Sequence, residues 1–148
     1  MATTAAGRTP AHLWIVGILS LLWNAFGCFD YWMTETGNAA YLSQFPADML
    51  AYIDSLPAWT TAFWALGVWG GLIGAILLLM RNRYAVWAYA ASLVGAVVGL
   101  GYQMFMTTMP ASMTEGMMGA MPWVIIAVAA FQLWYAWSEE KKGVLSSK

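Results

Sequence analysis

AHLWIVGILSLLWNAFGCFDYWM, residues 11–33, is an unbroken, mostly apolar run with one carboxylate, Asp30, near its end. A bilayer core of about 30 Å is crossed by about 20 helical residues. Lipid offers backbone N–H and C=O groups no partner, so only a helix of that length satisfies them within the segment. The run therefore predicts a membrane-crossing helix. The inner stretch WNAFGCFDYW, residues 23–32, then raises the functional question, because it places Asn24 and Asp30 at membrane depth.

Three further runs follow at 58–80, 84–108 and 122–138, the last short and extended by its flanks. Pro10, Pro57 and Pro122 fall at the first turn of spans, where a missing N–H leaves no bond unmade, and no proline is expected in a span interior. Pro46 and Pro110 are expected to open short interfacial helices in the connections 34–57 and 109–121. The first run is too long for a signal-peptide core and lacks a small-x-small cleavage pattern, so it reads as a retained span. The expectation is one membrane domain, residues 1–148, folded as an all-α, four-transmembrane-helix bundle.

Composition agrees: 61% of the 148 residues are hydrophobic and 9% charged, against about 25% charged in a soluble domain. A net charge of -1, with no basic stripe, excludes a nucleic-acid partner. Cys28 is the only cysteine, so neither an internal disulfide nor a cysteine metal cluster can form. No cofactor is expected. Arg8, Arg81, Arg83, Lys141, Lys142 and Lys148 all fall on one side of the four spans. By the positive-inside rule that side is cytoplasmic and holds both termini. The opposite connections carry only Glu35, Asp48, Asp54 and Glu115. Trp14, Tyr84, Trp87, Trp134 and Trp137 would form the inner aromatic belt, and Tyr31, Trp32, Trp59, Tyr102 and Trp123 the outer one.

At 100° per residue the first span divides into two faces. Ser20, Trp23, Asn24, Gly27, Asp30 and Tyr31 share one of them, opposite Ile18, Leu22, Phe29 and Trp32. The second span collects Thr60, Trp64, Gly67, Gly70, Gly71 and Gly74 on one side, the third Ser92, Gly95, Gly99 and Gln103, the fourth Ala129 and Gln132. Small residues at these spacings let helices approach closely in lipid. With a rise of about 1.5 Å per residue, Asn24 and Gln132 lie near the midplane, and Asp30 and Gln103 about 10 to 12 Å towards the outer face.

These polar groups have two readings. In one, Asn24, Asp30, Tyr31, Trp64, Gln103 and Gln132 line a small cavity open to the outside and bind a small polar solute, amides and carboxylate holding its hydroxyls and aromatic faces covering its apolar side. In the other, the amides are interhelical glue, worth about 0.6 to 2 kcal/mol each, and Asp30 is hydrated near the surface. The segment 104–121 holds seven of the eleven methionines. Met106, Met109, Met113 and Met117 are expected to form the apolar stripe of an interfacial helix; the alternative is a Cu(I) site using Met113, Met117 and Met118, since thioethers are soft ligands. Leu42, Phe45, Met49, Tyr52 and Leu56 have helical spacing and would brace or cover the bundle mouth. No nucleophile–base pair, phosphate-binding glycine loop or zinc pattern is present, so an enzyme is not expected.

LWNAFGCFDYWMTETGNAAYL (22–42) and FWALGVWGGLIGAILLLMR (63–81) resemble a family of small four-span bacterial inner-membrane proteins commonly labelled sugar transporters. The resemblance covers about residues 12–138 and implies a bacterial inner-membrane location and solute transport. It assigns no ligand residues. The expected function is transport of a small polar solute, by an oligomer because four spans enclose little room. The alternatives are a membrane scaffold and a methionine-based copper-handling protein.

Overall fold

The computed structural model describes residues 9–146; Arg8 and Lys148 lie outside the described residues. Four long helices carry the fold: α1 (Ala11–Glu35), α4 (Ala58–Leu79), α5 (Ala85–Met106) and α7 (Gly116–Lys141). Each is long and apolar enough to cross a membrane, as the helices of a multi-pass membrane protein are. Three short helices, α2 (Ala39–Leu42), α3 (Ala47–Ser55) and α6 (Ala111–Thr114), lie in the connections at one end. That end carries Glu35, Asp48, Asp54 and Glu115; the opposite end carries Arg81, Arg83, Lys141 and Lys142. We call them the acidic and basic ends. The flank of α1 turned away from the bundle exposes Ile15, Ile18, Leu19 and Leu22, an apolar surface suited to lipid.

The helices run alternately up and down, α1 against α4, α4 against α5 and α5 against α7. Glycine makes the central pair close. A Cβ on Gly95 would stand 2.6 Å from both the amide nitrogen of Gly67 and the carbonyl oxygen of Phe63, and Ser92 Oγ donates to the Gly67 carbonyl at 2.6 Å. The glycine faces expected from helical periodicity are thus the contact faces of α4 and α5.

The basic end is tightly filled. Leu13, Leu78, Ala85, Tyr89, Tyr135, Ala136 and Leu145 form one buried cluster there. The chain reaches Leu145 by reversing after α7 at Gly143 (φ 80), a backbone region open to glycine at little strain. Ser146 then pairs with the α4–α5 turn: its N–H donates to the Arg81 carbonyl at 2.7 Å, and Arg83 N–H donates to the Ser146 carbonyl at 2.6 Å.

Two expectations at the acidic end are corrected. Pro122 lies inside α7, not at its first turn. The break in helical conformation falls earlier, where Glu115 is extended and Gly116 turns with φ 59, so Gly116–Met121 adds about a turn and a half before the proline, whose missing N–H removes one helical bond. The same break divides the methionines. Met106 ends α5, Met113 sits in the one-turn α6 and Met117 belongs to α7, so they form no single interfacial stripe. In the other connection Gly37 (φ 69) ends α1 in the left-handed region, and Asn38 caps α2 by accepting from Tyr41 N–H at 2.9 Å. Pro46, Pro57 and Pro110 stand immediately before α3, α4 and α6, where they cut no helical bond.

Candidate functional site

The fourth side of the bundle, between α1 and α7, sets the site. Near the basic end His12 hydrogen-bonds Tyr135, their rings edge to face with centroids 5.6 Å apart. Halfway along, Gln132 Oε1 accepts from Asn24 Nδ2 at 2.7 Å and from Ser20 Oγ, and Ser20 Oγ also bonds Tyr89 Oη at 2.7 Å. Asn24, Ser20 and Gln132 are all buried. Beyond Asn24 towards the acidic end, no hydrogen bond or ring contact joins α1 to α7 among the described residues. The two helices leave a gap.

A cavity of about 620 Å³ fills it, within the range of about 300 to 1,000 Å³ that small-molecule sites occupy. Asn24 and Gln132 form its floor; Asp30, Trp64 and Gln103 stand on its walls; α3 contributes Ile53 and Asp54 at the mouth. Among the described residues Asn24 Oδ1 and Gln132 Nε2 have no protein hydrogen-bond partner, so the floor is built of amides with hydrogen-bonding capacity left over. The floor is firm, because Asn24 Oδ1 rests against α4 where a Cβ on Gly71 would come within 2.0 Å of it.

Five of the six residues named as solute ligands, Asn24, Asp30, Trp64, Gln103 and Gln132, therefore meet on one cavity. Tyr31 does not. It turns towards α4 and packs edge to face on Trp64 (5.0 Å) and Trp69 (6.3 Å), buttressing the Trp64 wall from behind.

Asp30 has a partner that sequence spacing does not reveal. The turn at Gly37 folds α2 back along α1, and Tyr41 Oη donates to Asp30 Oδ1 at 2.5 Å. Burial, and then the hydrogen bond to and negative charge of Asp30, hold the Tyr41 phenol above its ordinary range, so it remains a neutral donor. The brace α3 is tied across the mouth by Tyr52 Oη to Thr107 Oγ1 at 2.5 Å and by Ser112 Oγ to Asp48 Oδ1 at 2.9 Å. Thr60, Phe63 and Glu35 also line the cavity. Thr60 was visible in the α4 polar arc, whereas Phe63 and Glu35 gave no signal beyond their neighbours.

At the basic end Glu139 is buried in α7. One carboxylate oxygen takes Lys142 Nζ at 3.1 Å and the other has no hydrogen-bond partner among the described residues. No group of three or more His, Cys, Asp or Glu side chains converges to hold a metal among the described residues.

Of the thioethers named for Cu(I), Met113 lines the cavity, while Met117 and Met118 line neither it nor the smaller recess beside Met104, Met109 and Trp123; Met117 is 79% exposed. Replacing Met113, Met117 and Met118 together by leucine is expected to preserve folding and leave Cu(I) binding unchanged. Titration of the purified variant with a Cu(I) chelator competitor checks this, and a clear loss of binding would restore the copper reading. Compared with protein-family models, with curated proteins and with solved structures, the chain matches none.

Proposed function

We propose that the chain is a bacterial inner-membrane transporter of a small polar solute, with its basic end and both termini in the cytoplasm and its cavity open to the outside. The observation that carries this is the cavity itself. Its size suits a small ligand, its floor is built of the amides Asn24 and Gln132, and Trp23 and Trp64 also line it. A sugar is the solute class that the sequence resemblance implies. The cavity lies within one chain, so solute binding does not require a second copy.

The orientation is supported by the segregation of charge. Arg81, Arg83, Lys141 and Lys142 share one end, and no Lys or Arg lies in the connections at the other. Reporters inserted within 81–83 or fused after Lys148 are expected to read cytoplasmic, and reporters within 36–56 external; opposite labelling at either place refutes the four-span orientation.

A second reading, a scaffold without transport, is favoured by one observation: Asn24, Gln132, Ser20 and Tyr89 are bonded to one another, as interhelical glue would be. Uptake into liposomes by the purified protein, screened over sugars and other polar solutes, separates the two. The control is Gly99→Leu, which lies on the cavity wall; among the described residues its added Cβ meets only Phe63 Cβ, at 3.8 Å. It is expected to fill the cavity and abolish uptake while the helix content stays unchanged. Absence of any uptake by the folded wild type leaves the scaffold.

A further inference from the structure

The cavity has an electrostatic signature that a neutral solute does not call for. Among the described residues its ionisable lining consists of Asp30, Glu35 and Asp54, with no lysine, arginine or histidine. The one ion pair among the described residues, Lys142 with Glu139, is at the opposite end of the molecule. Asp30 is hydrogen-bonded by a neutral phenol, which orients the carboxylate without cancelling its charge. Three uncompensated carboxylates above low-dielectric walls focus a negative potential into the opening. Anions are repelled from it. A carboxylate at membrane depth is also costly to keep unless a ligand or partner uses it.

Among cations, the lining suits the organic kind. The carboxylates are spread around the opening, and no three or more His, Cys, Asp or Glu side chains converge on one point among the described residues. Below the carboxylates the walls instead present the rings of Trp23, Phe63 and Trp64, which attract a cation through their faces and cover an apolar body.

The cavity also has a side opening. Trp23 and Phe26 line it while being 38% and 68% exposed on the flank of the bundle, where α1 and α7 have parted. The gap therefore communicates with the lipid-facing surface as well as with the acidic end. We infer that the ligand of this cavity is a lipophilic organic cation, an amine or quaternary onium, whose charge sits by Asp30 and the mouth carboxylates and whose apolar body lies against Trp23, Phe26 and Trp64. The inference rests on the cavity being the solute site proposed above, and it replaces a neutral solute with a charged amphiphile.

Tetraphenylphosphonium and tetraphenylborate have nearly the same shape and opposite charge. Equilibrium dialysis of each against the full chain in nanodiscs compares them, with each ion's own partitioning into protein-free nanodiscs subtracted and binding plotted against its free concentration, because the bilayer's dipole potential favours the anion. Saturable binding of tetraphenylphosphonium is expected, with tetraphenylborate at least about a hundredfold weaker. Asp30→Asn keeps an oxygen for Tyr41 and should lower the cation's affinity about tenfold. The exposed pair Glu35→Gln with Asp54→Asn should lower it similarly, with helix content unchanged in both, and since neither mouth residue is buried a folding defect cannot account for that loss. Equal binding of the two probes, or full affinity in both variants, overturns the inference. A protein that takes up methyl glucoside into liposomes but does not bind tetraphenylphosphonium overturns it while leaving a solute transporter; a folded protein that does neither overturns the transporter as well.

Discussion

Gly95→Ala is expected to destabilise the bundle by about 1 to 3 kcal/mol, the usual range for overpacking a close contact. The added methyl would meet Gly67 N and Phe63 O at 2.6 Å each. Both are backbone atoms of α4, so no side chain can rotate out of the way and the two helices must separate. Separation weakens the bond from Ser92 Oγ to the Gly67 carbonyl. It also loosens the approach at Gly70, where a Cβ would already lie 3.2 Å from Ala88 O and Ser92 N. Gly99→Ala, one turn further along the same helix, is the control, because its methyl finds Phe63 Cβ no closer than 3.8 Å. That change should be neutral or stabilising, since alanine is favoured over glycine in a helix by about 1 kcal/mol. Unfolding of both variants by a denaturing detergent, followed by circular dichroism, measures the difference; equal stabilities would contradict the close α4–α5 crossing.

Gln132→Leu should lower stability by about 1 to 2 kcal/mol and free α1 from α7 halfway along their length. Gln132 Oε1 receives both Asn24 Nδ2 and Ser20 Oγ, and the remaining α1–α7 hydrogen bond among the described residues is that of His12 with Tyr135. Without the glutamine, Asn24 Nδ2 keeps a bond within its own helix, to the Ser20 carbonyl at 2.8 Å, so the loss falls on the junction between helices. Asn24→Leu removes the other half of the pair. If the bond holds the bundle together, the double variant is scarcely less stable than either single one, the signature of a shared interaction. If the two losses add in full, the amides contribute independently, and the scaffold reading loses its main support.

Much of this arrangement was legible because a helix converts spacing into both depth and direction. Asn24 and Gln132 were placed in one layer from the rise per residue alone, and they bond at 2.7 Å. Asp30 and Gln103 were likewise given one level, and both reach the cavity wall. Tyr31 was misplaced because the polar arc of α1 is wide enough to face two neighbours: Trp23 and Asp30 look towards the cavity, but Tyr31 looks towards α4. Periodicity tells which flank is inward but not which helix waits there. The start of α7 was misread for another reason. Proline commonly opens a helix, yet the conformational break is made by Gly116, upstream of Pro122. The bond from Tyr41 to Asp30 depends on a reversal at Gly37, so no repeat of 3.6 residues could show it.

The hook formed by Leu145 and Ser146 bears on how often a continuous passage can exist. The cavity stops at Asn24 and Gln132, and below it the buried cluster includes Leu145, 5% exposed. Clearing a route to the basic end by way of the hook means withdrawing that leucine, about 1.5 to 3 kcal/mol. It also means parting the two backbone bonds of Ser146, about 0.5 to 1.5 kcal/mol each. Together these amount to about 2.5 to 6 kcal/mol, which limits an unassisted through-going state by that route to between roughly one molecule in sixty and one in twenty thousand. Were the chain the transporter proposed above, it would leak very little at rest, and a solute crossing it would have to bring, through tighter binding to the opened form, much of the free energy that unfastens the hook.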